Sequence, residues 1–170
     1  MRRRIAAGML LLALLLFPAG AWLMTGRSFE LMMERERSRA LSEEAAIARA
    51  VSLEIAGAQG DALYACAQGL QARYGSPELT VMLIRHGAAM AGRSLPDVPG
   101  LGALLTRPAR ATLLDGGTQT LCIAHPLGEG LTLLLVSDVS PVYALRGRLT
   151  AYAALLCCAG AGAAALLAAA

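Results

Sequence analysis

The chain contains no lysine, and among its 170 residues there are only two histidines, two phenylalanines and one tryptophan. Each shortage closes off a class of function. All 15 basic residues are arginine, and three of them, Arg2, Arg3 and Arg4, precede the first apolar run. The other twelve lie between Arg27 and Arg148 and are balanced there by all 12 Asp and Glu, so the net charge of +3 belongs to the N-terminus. Once those three are set aside no Lys/Arg stripe remains, which speaks against a nucleic-acid partner. The two histidines, His86 and His125, are too far apart for an H-E-x-x-H or H-x-x-x-H pair, and no serine sits in a G-x-S-x-G setting. No catalytic residue is therefore assigned. Four cysteines without a C-x-x-C argue against structural zinc, so no metal and no cofactor is assigned either. Cys66 and Cys122 fall in the middle of the chain, where export leaves a disulfide open beside the alternative of two buried thiols.

What the chain has in abundance is uncharged apolar sequence at both ends. Residues 5–24 (IAAGMLLLALLLFPAGAWLM) follow the three arginines without a charge. They predict a transmembrane helix with residues 1–4 in the cytoplasm, Trp22 at the outer interface and Pro18 as a kink. Ala19-Gly20-Ala21 also fits a signal-peptidase site, but the apolar run continues past it through Met24, which favours an uncleaved anchor. Residues 149–170 form the second uncharged run, close to one bilayer thickness as a helix. Gly160 and Ala164 in it are four apart, a spacing that permits close helix approach. Residues 25–148 are then the extracytoplasmic domain.

Within that domain the pattern is helical first and strand-like later. Ser28 to Ala56 reads as one long helix, free of Gly and Pro until Gly57. Leu41, Ala45, Ala48, Val51 and Ile55 form its apolar stripe, and Glu34–Arg37 and Glu36–Arg39 are opposite charges at i,i+3. A second helix is expected from an Asp61 cap to about Tyr74, with Leu63, Cys66, Leu70 and Tyr74 on one side. Strands are expected at Leu79–Arg85, Ala88–Ala91, Ala111–Leu114, Thr118–His125 and Leu131–Val136, with a helical turn near Leu101–Leu105. Asp115-Gly116-Gly117 is the turn chemistry of a hairpin. The last strand turns at Ser137-Asp138 into a helix capped by Ser140, with Pro141 as its first residue. The fold class is thus α+β: an antiparallel sheet of about five strands with a long N-terminal helix, its helices on one face, flanked by two transmembrane helices.

This order of parts, with the DGG hairpin and the exit segment LLLVSDVSPVYALRGRL (Leu133 to Leu149), resembles the PAS-like extracytoplasmic sensor region of bacterial membrane-bound sensor histidine kinases. The resemblance implies a stimulus-sensing, signal-transducing region in the bacterial inner membrane, working as a homodimer on a small-molecule or protein stimulus. It also implies that the output domains lie beyond this sequence, since there is no phosphoacceptor H-E-x-x-x-P and no Gly-rich nucleotide motif. Similar domains front chemoreceptors and cyclic-dinucleotide enzymes. A membrane-tethered protein-interaction subunit is the alternative of another class. In such a sensor Arg85 and Arg110 would approach an anionic ligand against the sheet. His125 or His86 with Asp138 or Asp115 would form a pH-sensitive pair, and Asp138 would either bind ligand or cap the helix that follows it.

Overall fold

The computed structural model describes residues 2–92, 94–106, 112–115 and 119–169, with the backbone alone for 2–7, 9–15, 112–115, 164 and 166–169. The chain divides into two compact units: a helical one, Met1–Glu34 with Pro141–Ala170, and a sheet unit, Arg35–Ser140. The apolar run 5–24 and the helix expected from Ser28 form one continuous helix, α1, Arg2–Ile55, with Pro18 inside it. It ends at Gly57, whose φ of 85° is a left-handed conformation that an L side chain resists.

The face that α1 turns to the sheet keeps Ala48, Val51 and Ile55 of the expected stripe but not its first two residues. Ala40, Ile47, Ala48 and Val51 are buried, whereas Leu41 is 40% exposed and Ala45 lies in solvent. Between Ala40 and Ile47 on the packed face sits a carboxylate, Glu44, only 4% exposed. Arg39 hydrogen-bonds Glu43 one turn on, Nε to Oε1 at 2.9 Å, and the Glu36 charge expected beside it also acts on the guanidinium. The second helix, α2, Asp61–Tyr74, buries Leu63, Ala67 and Leu70. Gly60 is its N-cap, without a side-chain hydrogen bond; Asp61 is in the first turn instead of capping it, where its charge still favours the helix dipole.

The strands are β1 (Leu79–Arg85), β2 (Ala88–Ala89), β3 (Thr112–Asp115), β4 (Thr120–Gly128) and β5 (Leu131–Asp138). They form one antiparallel sheet in the order β2-β1-β5-β4-β3, in which β2 contributes only two residues. β2 stops two residues short of the expected Ala91, because Ala91 and Gly92 turn the chain away at φ 61° and 70°. Gly116 and Gly117 of the DGG turn lie outside the described residues, but the hairpin they join is in register, Asp115 opposite Leu121.

β5 is central and apolar on both faces, as a strand covered on both sides must be. Leu133 and Leu135 join Val81, Leu83 and Ile123 beneath α1 and α2. Leu134 joins Met82, Ile84, Cys122 and Ala124 on the other face, under Val98 and the short helix α3 (Leu101–Thr106). Helices therefore cover both faces, where the sequence suggested one. Each fully buried leucine here removes enough apolar surface from water to contribute about 2 kcal/mol. Cys66 packs against the first cluster and Cys122 belongs to the second, so the sheet separates them and both are free thiols.

In the helical unit the second helix is α4, Ser140–Ala169. Phe29 meets Tyr143 edge-on with ring centroids 5.1 Å apart, and the Arg146 guanidinium lies 4.5 Å over the Phe29 ring. Large apolar side chains stand in the open, among them Phe17 at 74%, Trp22 at 77% and Leu156 at 74%. Among the described residues no helix is long and apolar enough to cross a membrane. The side chains of 9–15, 164 and 166–169, within the two apolar runs, lie outside that description. The two flanking transmembrane helices are thus not supported by the structure.

Candidate functional site

β1 and β5 run antiparallel with Arg85 opposite Leu131, and β4 places His125 opposite Leu133, so Arg85 and His125 share one end of the sheet. Asp138 is at the other end of β5, roughly 24 Å away at the usual rise of a strand. Of the residues expected to contact ligand, Arg85 and His125 are therefore near one another and Asp138 is distant from both, while Arg110 lies outside the described residues.

Asp138 has structural work. It accepts hydrogen bonds from the Ser140 backbone N–H at 2.8 Å and from the Ser140 hydroxyl at 3.0 Å. The cap at the start of α4 is thus Asp138 and not Ser140, whose hydroxyl donates to it. Val139, between them, is 3% exposed. The strand passes into the helix across one buried residue, with both sides tied.

His125 has a partner that the sequence reading missed. The alternation of β4 turns it toward α1 with Ile123, and its Nδ1 lies 2.5 Å from Oε1 of Glu44. The carboxylate side chain is 5% exposed and the imidazole 34%. The contact lies off the axis of a good hydrogen bond, and neither atom has another polar partner among the described residues. Asp138, one of the partners expected for His125, cannot reach it from the far end of the sheet. His86 takes another role. With Gly87 it forms a two-residue turn between β1 and β2, at φ 49° and 81°, the positive pair of a type I′ hairpin. Its ring packs on Gly130, where an added Cβ would come within 2.6 Å.

Arg85 opens onto a cleft of about 590 Å³. Its walls are the end of α1 at Ser52 and Ile55, the Gly57–Gly60 loop, Leu63, and the β4–β5 turn at Glu129. Among the described residues Arg85 makes no ion pair. The cleft is roomy enough for a small ligand and carries one charge of each sign, Arg85 and Glu129.

A third cluster ties α1 to α2. The Tyr74 hydroxyl donates to Glu54 Oε1 at 2.8 Å, and Arg73 Nη1 donates to Oε2 at 2.5 Å. The Tyr74 hydrogen bond, followed by the Arg73 charge, holds the Glu54 carboxyl below its ordinary range. Burial, the largest influence on the Cys66 thiol beside it, raises that group. Burial alone pushes Cys122, on the opposite face, up to about 11. Neither cysteine is set up as a nucleophile, which needs a depressed pKa. No cluster of three or more His, Cys, Asp or Glu among the described residues could hold a metal ion.

Comparison of the chain with protein-family models, with curated proteins and with solved structures gave no match.

Proposed function

We propose that the chain is a membrane-borne sensing and signalling region of the PAS-like kind, extracytoplasmic and homodimeric, serving a histidine-kinase output carried outside these 170 residues. The observation that carries the reading is the junction at Asp138–Ser140. The central strand of the sheet enters α4 through one buried residue, with the Asp138 carboxylate clamping the first turn. A displacement of β5 is then passed to the start of the helix, where a longer or looser linker would absorb it. The strand order β2-β1-β5-β4-β3 behind a long helix is the arrangement a PAS-like domain would need. The Arg85 cleft at the opposite end of β5 is the candidate position for the stimulus. The apolar runs of the sequence, and the exposure of Phe17, Trp22, Leu155 and Leu156, support placement in a lipid bilayer. A ligand shifts such a device only by the difference between its affinities for two states.

The test is the coding frame downstream of Ala170. A continuation into a helical linker, a phosphoacceptor histidine and a nucleotide-binding domain supports the kinase reading. A frame that ends there removes the output and leaves the tethered-interaction alternative.

A further inference from the structure

A second hollow, of about 210 Å³, lies within the helical unit between α1 and α4. Trp22, Thr25, Arg27 and Glu30 line it from α1, and Arg146 and Thr150 from α4. Among the described residues neither arginine has a carboxylate within ion-pair distance, although Glu30 shares the wall. Arg146 is held in place by the Phe29 ring beneath it, and that ring is braced by Tyr143. The threonine hydroxyls are spent on their own helices: Thr25 on the Ala21 and Trp22 carbonyls, Thr150 on those of Arg146 and Gly147. The two guanidinium groups outnumber the Glu30 carboxylate in this wall, and the planar fork of each matches a phosphate.

The hollow also has an apolar extension. Leu23 lines it and lines a neighbouring open groove formed by Leu16, Phe17, Gly20, Ala21 and Met24 on the same helix. Leu16, Phe17, Leu23 and Met24 are all more than half exposed in that groove. A cationic hollow continuous with an apolar groove fits an amphiphile with an anionic head and a hydrocarbon chain. A free phosphate would leave the groove empty.

We propose that the helical unit binds an anionic phospholipid, its phosphate between Arg27 and Arg146 and an acyl chain along the Leu16–Met24 groove. The site rests on the membrane reading above and sharpens it, because it would fix the depth of α1 and α4 at the headgroup level.

Trp22, the only tryptophan in the chain, stands at the rim and is the natural reporter. The full chain is reconstituted in phosphatidylcholine vesicles containing a minor fraction of phosphatidylglycerol, with the acyl chains of either one lipid or the other brominated. Quenching of Trp22 by brominated phosphatidylglycerol should exceed that by an equal fraction of brominated phosphatidylcholine, by on the order of fivefold in apparent occupancy. The preference should vanish in Arg27→Gln/Arg146→Gln. It should survive in Arg148→Gln, which removes the same charge from a neighbouring position that does not line the hollow. Far-UV circular dichroism of each variant checks that the helices persist. Equal quenching by the two lipids overturns the site while leaving the membrane reading intact. Quenching by neither overturns both. Equal loss in Arg148→Gln reduces the effect to general attraction, and abolition of the preference by inorganic phosphate assigns the site to a free anion; either overturns the proposal.

Discussion

A carboxylate enclosed among Ala40, Ile47 and Val51 is costly unless it has a partner, and for Glu44 that partner is His125. The surroundings offer no substitute. β1 and β5 present Val81, Leu83, Leu133 and Leu135 on this face, α2 presents Leu63, Ala67 and Leu70, and α1 itself presents Ala48 and Val51. His125→Ala should accordingly destabilise the sheet unit by about 1–2 kcal/mol, the cost of leaving a buried polar group without its neighbour. Glu44→Leu/His125→Leu should recover most of that loss, since an apolar pair of similar volume needs no desolvation offset. Urea denaturation of the three proteins in the same mild detergent measures both. If His125→Ala were neutral, the contact would be incidental.

Glu54 gives a pH-dependent counterpart at the surface. Its carboxyl is held low, first by the Tyr74 hydroxyl and then by Arg73, so the folded state favours the ionised form. The stabilisation from Glu54 is therefore present above the ordinary carboxylate value of 4.5 and is lost as pH falls through the lower folded value. Glu54→Gln should be less stable than the parent at neutral pH, and the difference should shrink below about pH 4. Stability measured across pH 3–7, again in detergent, checks the convergence. Parallel curves would mean that folding does not favour the ionised Glu54 carboxyl.

At the scale of elements, the turns that close the sheet depend on one another. Glu129 and Gly130 connect β4 to β5 at φ 50° and 73°, and the Gly130 carbonyl accepts the His86 N–H at 3.0 Å. Gly130→Ala meets two obstacles: a left-handed backbone, and the His86 ring 2.6 Å from the new methyl. A cost of about 2 kcal/mol is expected, above the 1 kcal/mol or so of backbone strain alone. Adding His86→Ala removes the clash but not the strain, so the double variant should lose less than the sum of the two single ones. A double-mutant cycle by denaturation decides it, and strict additivity would show that the ring moves aside freely.

The same scale shows why the elements were legible and their faces were not. β1 matched its sequence-read span at both ends, and α2 ran to the expected Tyr74, because a long apolar run and the Gly75-Ser76-Pro77 break mark their limits locally. The face of α1 matched the expected stripe at Ala48, Val51 and Ile55 and departed from it by one position at Leu41 and Ala45. Leu41 and Ala45 looked like core, but the sheet receives Ala40 and Glu44. An apolar stripe in an alanine-rich helix tolerates several phases, and a carboxylate argues against the correct one until its imidazole is seen opposite. Among the candidate residues, Arg85 lines the cleft with Glu129. Asp138 was found to be a cap, and Glu44 was missed.

For the molecule as a whole, the sequence by itself determined the identity and order of the helices and strands, the single antiparallel sheet and the apolar character of the two ends. These follow from periodicity, turn residues and composition, which act over a few neighbouring positions. The tertiary structure alone decided which strand lies at the centre, that helices cover both faces of the sheet, and that Cys66 and Cys122 are separated by it. It also decided that Arg85, paired with the first residue of β5, and Asp138, the last residue of β5, lie at opposite ends of the sheet, and that Glu44 and His125 meet across the α1 interface. The reason is physical. Register and helix phase are set by which surfaces fill the space between α1, α2 and the sheet, and that space exists only when distant parts of the chain have packed together.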